Sequence, residues 1–399
     1  MREQVEAEAR AAAAAVAALR DDAVSVALET AGGLVHERAE EIAAANAADL
    51  AAAGDLDEGT RDRLRLDADR IAGLGEQLQE LARLPPLDRV EDRWALDNGL
   101  QVEVRRIPIG AVGANFEARP NVAVDIAGQL LKSLNAAVLR TGGAALRTVT
   151  FLVDEILRPG LHAAGLPPAA VGLVRSPDRE GARVLVSLPH VLPLVILRGS
   201  GETTAALARE AAHHGVRTLA HAEGGGVLYL HEDADPAKVE ALVTASLDRL
   251  GVCNRLNVLL AHDAVDVPYA LLERLGITVR EPERLGHEWA NDPDRIASVT
   301  VRSVASLDDA VALANEETSG LAATIVTEDA EAAHRFLDLY RGTAAYWNAT
   351  TRFTDGFALT GAPETGINVD RVPGPRGPVT YRDLYLRQFR VLGDGTQHR

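Results

Sequence analysis

From Pro108 onward short apolar runs alternate with segments of helical period, and this alternation restricts the chain to few architectures. Ile109-Gly110-Ala111-Val112-Gly113-Ala114 reads as one buried strand and Asn135 to Arg140 as a second, with further strands near 171–174 and 193–197. Helices are expected over 122–133, 145–164, 179–186 and 203–213. A strand that is apolar at nearly every position must be covered on both faces. That requirement is met by helices packed on a parallel, doubly wound sheet. The pattern resumes with strands at 256–261, 277–280, 322–326 and 344–347 and helices at 236–250, 306–316 and 329–340. Ahead of it, residues 2–53 are rich in Ala, Glu and Arg and read as helix broken at Gly32-Gly33, and 61–84 as a second helical stretch stopped by Pro85-Pro86. Leu100 to Ile107 alternates apolar and polar residues, the period of a strand with one exposed face, and Arg387 to Leu392 can form a closing strand. No repeat or low-complexity tether separates these parts, so the units are expected to interlock.

Composition limits the function classes. The formal charge of −17 repels nucleic acid and anionic membrane, and no basic run reverses it locally. One cysteine excludes intramolecular disulfides and Cys-rich metal sites and fits a reducing, cytoplasmic setting. The N-terminus is too charged for a signal peptide, and its Ala run is too short to span a bilayer. The 11 histidines are scattered without metal-ligand spacing, and His213-His214 and His262 read as surface or helix-end residues.

That cysteine, Cys253, lies between the helical segment 236–250 and the apolar run from Leu256, on a turn opened by Gly251. A thiolate nucleophile needs such a place, open to substrate and held still; the alternative is a small core residue. A second candidate is Arg198-Gly199-Ser200-Gly201-Glu202, where a strand meets a glycine turn and a helix start, a geometry whose free N–H groups suit a phosphate. The G-x-G-x-x-G fingerprint is absent.

Taken together, Asn98-Gly99-Leu100, Arg106-Ile107-Pro108-Ile109-Gly110, Glu117-Ala118-Arg119-Pro120-Asn121-Val122, Leu131-Lys132-Ser133, Val138-Leu139-Arg140, Arg198-Gly199, Val252-Cys253-Asn254, Thr327-Glu328-Asp329, Thr351-Arg352-Phe353-Thr354-Asp355-Gly356 and Arg376-Gly377-Pro378 resemble, in order and over nearly the whole length, the γ-glutamyl phosphate reductase (glutamate-5-semialdehyde dehydrogenase) family of the aldehyde dehydrogenase superfamily. The resemblance implies an aldehyde dehydrogenase-like α/β fold of two interlocked doubly wound domains and a small β oligomerisation flap. On it, residues 1–93 and 108–235 form the cofactor-binding domain, 236–378 the catalytic domain, and 94–107 with 379–399 the flap of a homodimer or higher oligomer.

The resemblance also implies NADPH-dependent reduction of an acyl phosphate to an aldehyde through a thioester on Cys253. Asn254 and nearby backbone N–H groups would serve the oxyanion. Arg140, Thr141, Gly142, Arg198, Gly199 and Ser200 would hold NADPH/NADP, with Arg140 at the 2′-phosphate unless it is a plain strand-end cation. Glu117, Arg119, Asn121, Arg352 and Thr354 would face the substrate; Arg352 suits a carboxylate or phosphate, or else a salt bridge to Asp355. A kinase or carrier protein would supply the activated acyl group, and no metal is implied. Two stretches depart from the family, Leu321-Ala322-Ala323 and Gly224-Gly225-Gly226-Val227, where polar residues are usual. Their apolar character predicts a pocket that disfavours an amino-acid head group. A hydrolytic aldehyde dehydrogenase would need Glu223 as base, but that position reads as an ordinary loop carboxylate. A non-catalytic partner subunit is the third reading.

Overall fold

The computed structural model describes all residues except 57, 200, 222, 223, 251, 282–296, 373, 398 and 399, and the side chains of 58 and 59. Ser200, Glu223 and Gly251 therefore lie outside the described residues. Six helices lead: α1 (Arg2–Ala15), α2 (Asp21–Glu37), α3 (Ala39–Ala52), α4 (Glu58–Leu64), α5 (Ala68–Arg83) and, after the first strands, α6 (Asn121–Lys132). In α5 the buried residues Ile71, Leu74, Leu78 and Leu81 recur at helical spacing, and Asp67 caps its start by accepting from the Arg70 amide. The single helical stretch expected over 61–84 is thus two helices, parted at that cap.

Gly32-Gly33 does not break α2. A Cβ on Gly32 would lie 2.8 Å from the Gly75 carbonyl oxygen, and one on Gly75 would lie 2.6 Å from His36 Nε2. These glycines let α2 and α5 cross with backbones nearly touching. The real breaks are the extended residue Arg20 and the non-helical Arg38.

The strands among the described residues are, in chain order, β1 (Val90–Ala95), β2 (Gln101–Ile107), β3 (Ala111–Phe116), β4 (Ala136–Thr141), β5 (Val171–Leu173), β6 (Leu194–Arg198), β7 (Arg217–His221), β8 (Gly226–Leu230), β9 (Leu256–His262), β10 (Thr278–Arg280), β11 (Ser298–Val304), β12 (Ala322–Val326), β13 (Ala344–Trp347), β14 (Gly366–Asn368), β15 (Gly377–Val379) and β16 (Leu386–Leu392). One parallel sheet has the order β5-β4-β3-β6-β7 and another the order β10-β11-β9-β8-β12-β13. All residues of β3 and β4 are buried, as two covered faces require. In the second sheet Val227, Tyr229, Val258 and Leu260 belong to one apolar layer, and Leu228, Leu230, Leu259 and Ala261 to the other. The chain passes between the sheets before β8, ahead of the boundary expected at 235. Strand β1 likewise starts inside the segment 1–93.

The third sheet, β1-β2-β16, is antiparallel, and β14-β15 form a small hairpin. Among the described residues no helix is long and apolar enough to cross a membrane.

Candidate active site

The two parallel sheets meet end to end. Strand order in the first reverses at β3, whose neighbours β4 and β6 leave it in opposite directions; in such sheets the crevice beyond the carboxyl ends is the ligand site. The second sheet presents its amino ends to the same crevice. Between them is a cleft of about 260 Å³, lined from the first sheet by Arg119, Arg198, Gly199 and His221 and from the second by Val252, Cys253 and Asn254. Arg249, Arg352, Thr354, Asp355, Glu364 and Ile367 complete it.

Cys253 sits half-buried on the turn before β9. The preceding helix, Pro236–Ser246, stops several residues short of the glycine expected to end it. The turn is pinned through consecutive carbonyls. Gly225 N–H donates to Cys253 O at 2.6 Å, the Thr351 hydroxyl donates to Asn254 O at 2.9 Å, and Gly226 N–H donates to Arg255 O at 2.7 Å. Gly225 has φ +100°, and a Cβ there would lie 2.8 Å from Asn257 Cβ, so only glycine fits.

Asn254 does not offer its amide to an oxyanion, contrary to expectation. Its Nδ2 donates to the carbonyls of Arg352 (3.0 Å) and Thr354 (3.1 Å), and its Oδ1 accepts from Arg352. It ties the 351–354 turn to the cysteine. Arg352 pairs through Nε with Asp248 at 2.8 Å rather than with Asp355, which caps the helix Gly356–Thr360. Thr354 is fully buried, its hydroxyl 3.0 Å from that of Tyr346.

At the carboxyl edge of the first sheet, Ala118 adopts φ +45°, a left-handed conformation that is uncommon outside glycine. Of the residues on either side of it, Arg119 lines the cysteine's cleft, while Glu117 is beside Gly199, where a Cβ would come within 3.5 Å of its carboxylate. Asn121 is not among the residues lining the cysteine's cleft; it donates to Asp125 at 3.1 Å. Arg140 is only 3% exposed. Its guanidinium donates to Asn115 Oδ1 (3.1 Å) and to the carbonyls of Pro177 (2.8 Å) and Asp178 (2.9 Å), clamping the loop after β5 instead of waiting for a 2′-phosphate. The neighbouring edge has unused capacity: the buried Thr141 hydroxyl and Arg198 Nε have no hydrogen-bond partner, and no atom occupies the space where a Gly142 Cβ would project. An edge with open space and donors to spare at a strand-order reversal fits a dinucleotide.

Three ionisable groups at the site, His221, Asp125 and Glu364, are not evident from sequence spacing. His221, at the end of β7, has Nδ1 2.8 Å from the Ile367 carbonyl; burial, with the nearby Arg198 and Arg119 cations, pushes its pKa down to about 3, so it is neutral. Asp125, the one acid in the otherwise apolar α6, is pushed up to about 7, chiefly by burial, with Glu364 adding to the rise and Arg198 opposing it. Burial and the neighbouring Asp355 likewise raise Glu364, whose carboxylate accepts from Gly356 N–H at 2.9 Å. The sequence signals were a lone carboxylate within an apolar helix and a lone histidine ahead of a glycine run.

Leu321, Ala322 and Ala323 are fully buried. Leu321 and Ala322 form a small apolar cluster with Ile367, against which Cys253 and Tyr346 pack. They do not line the open cleft, so their apolar character says nothing about a substrate head group.

The aldehyde dehydrogenase family model matches residues 1–294 and 298–377. A γ-glutamyl phosphate reductase of Clavibacter michiganensis subsp. michiganensis is 37% identical over 97% of this chain and 93% of its own. The crystal structure of γ-glutamyl phosphate reductase from Thermotoga maritima superposes with a TM-score of 0.91 at 28% identity, covering 99% of this chain and 100% of that one. An engineered glycolyl-CoA reductase with bound NADP+ shares the fold at a TM-score of 0.71 and 16% identity, over 98% of this chain and 96% of its own.

Proposed function

The chain belongs to the aldehyde dehydrogenase family, alongside the γ-glutamyl phosphate reductases, and from that premise we propose that it reduces a γ-glutamyl phosphate-type acyl phosphate to the corresponding aldehyde with NADPH. The observation that carries this reading is the single cysteine on a pinned turn, facing a cleft lined by guanidinium groups. Those cations stabilise negative charge on sulfur and draw an anionic substrate. The Cys253 thiolate attacks the acyl carbon, the C–O bond to phosphate breaks, and the bonding pair leaves with phosphate. The product of this step is a thioester. Backbone N–H groups of the turn are the donors for the oxyanion, each worth about 3 kcal/mol where well placed.

NADPH, when bound, supplies the hydride that reduces the thioester. Thr141, Gly142, Arg198 and Gly199 are the residues for it at the first sheet's carboxyl edge. Collapse of the reduced adduct then returns the thiolate and releases the aldehyde. With its pKa pushed down to about 3, His221 is too weak a base to take a proton near neutral pH, so its part is to hold the β14 backbone at the cleft wall.

The flap supports self-association. Trp94, Phe389, Val391 and Leu392 are exposed, Trp94 and Phe389 meet edge to face, and β16 ends its sheet with an open side. An acyl phosphate made from a free carboxylate needs a phosphoryl donor, so a kinase upstream in the cytoplasm completes the proposal.

The test is the reverse reaction, aldehyde with NADP+ and phosphate. Glutamate semialdehyde should exceed simple aliphatic aldehydes by about a hundredfold in kcat/KM, corresponding to roughly 2.7 kcal/mol of discrimination. Equal rates would leave a reductase of some other acyl group.

A further inference from the structure

Beyond the cysteine's cleft opens a second hollow of about 400 Å³, beside α4, α5 and the turn before α6. Arg119 and Arg249 line both spaces, so the two hollows adjoin across these side chains. The outer wall adds Arg63, Arg65 and Arg70. Asp62, the one acid among its lining residues, is already paired with Arg70 at 2.9 Å and Arg65 at 3.7 Å. On a chain of net charge −17, this concentration of guanidinium groups is a local reversal of sign, and concave walls focus its field. Arg352 is held by Asp248 and Asn254 and is poorly placed to take up a further anion. Arg249 is exposed and makes no ion pair or hydrogen bond among the described residues.

We propose that Arg119 and Arg249 form the subsite for the phosphoryl group lying beside Cys253, and that Arg63, Arg65 and Arg70, on α4, α5 and the turn between them, line the corridor by which phosphate passes to and from solvent. The assignment rests on the acyl-phosphate reading. When sulfur bonds to the acyl carbon, the departing phosphate carries away the electron pair of the broken C–O bond. A planar guanidinium pair is suited to receive that charge bidentately. The arrangement is hidden in the sequence because Arg63, Arg65 and Arg70 are brought beside Arg119 and Arg249 from far along the chain.

Alkylation of the one thiol reads the site without turnover. Iodoacetate and iodoacetamide both form an S–C bond to Cys253 and expel iodide, but only iodoacetate is anionic. On the full chain, iodoacetate should be favoured relative to its ratio with a small free thiol. Inorganic phosphate should protect against both reagents, saturably, and beyond chloride at matched ionic strength. Arg249→Gln should raise the half-protecting phosphate concentration about tenfold, with Arg249→Lys between it and the parent and thermal stability unchanged. Arg65→Gln, farther out, should lower the iodoacetate preference at low salt only. Absence of saturable phosphate protection, or protection untouched by Arg249→Gln, would overturn the assignment whatever the turnover shows. Stronger protection by glutarate than by phosphate would also overturn it, making the corridor a carboxylate site. Failure of acyl phosphate turnover with phosphate protection intact would instead count against the reaction, not the anion subsite.

Discussion

The two parallel sheets reach the same cleft by opposite ends. The first contributes the carboxyl ends of β3, β6 and β7, with unpaired donors at Thr141 and Arg198 and open space at Gly142 beside them. The second contributes its amino ends, where the chain enters β9 through a turn whose carbonyls at 253, 254 and 255 are all bonded. One edge has unspent side-chain donors at Thr141 and Arg198, and on the other each carbonyl of the cysteine's turn is anchored. A mobile dinucleotide needs the former; a nucleophile that must hold its position to within a fraction of an ångström needs the latter.

Removing the sulfur separates the two edges most sharply. Cys253→Ala should lower NADPH-linked turnover by roughly four orders of magnitude or more, while nucleotide binding and thermal stability stay at parent values. Retention of more than a few per cent of activity would take the nucleophile's role from Cys253. A smaller break comes from loosening the same edge with the thiol in place. Gly225→Ala forces a β-carbon into φ +100° and against Asn257, and should cost about 2–4 kcal/mol in urea unfolding. Because the Gly225 N–H holds the Cys253 carbonyl, turnover should fall about a hundredfold even in the folded fraction. Loss of stability with full activity would show that the turn does not need its anchor.

At the opposite edge the expected outcome is a structural one. Arg140→Ala strands the Asn115 side chain and the carbonyls of Pro177 and Asp178, and should cost about 2–3 kcal/mol. The ratio of NADPH to NADH dissociation constants should move by less than about twofold, since both Nη groups of the guanidinium are already bonded to Asn115, Pro177 and Asp178. A collapse of that ratio would return Arg140 to the 2′-phosphate.

How much of this was legible depended on whether a residue's role was local. The strands β3, β4, β6, β9 and β12 announce themselves as apolar runs because both faces are covered. The cysteine was visible as the one thiol between a helix and a strand. Strand β7 was missed because it is a sheet edge; Arg-Thr-Leu-Ala-His has only Leu219 buried and shows no apolar run. Arg140 and Asn254 matched motifs, but their partners lie up to 100 residues away, and no spacing rule reveals that the Arg140 Nη groups and the Asn254 amide are already bonded within the protein. Gly32-Gly33 reads as a breaker because glycine's two uses, ending a helix and letting two helices touch as Gly32 does, look alike in sequence.

The smallest effect tests what lies beneath the nucleotide edge. Asp125 stands on α6 behind the strand-order reversal, near Arg198 and Glu364, with a folded-state pKa of about 7 against an ordinary 3.8. Between those values the folded chain holds a proton that the unfolded chain has released. Stability therefore falls as pH rises through this window and stays lower above it. Asp125→Asn keeps the shape and deletes the titration. It should be nearly neutral at pH 5 and stabilising by about 1–2 kcal/mol at pH 8, a fraction of the full shift because Asp125 keeps some contact with water. Melting temperatures of parent and variant across pH 5 to 8 measure it directly. Parallel curves would mean that Arg198 compensates the carboxylate fully and that Asp125 is ionised throughout. Converging curves at low pH would place a neutral carboxyl under the cofactor edge. That edge would then keep its donors, Arg198 among them, uncommitted to a buried charge.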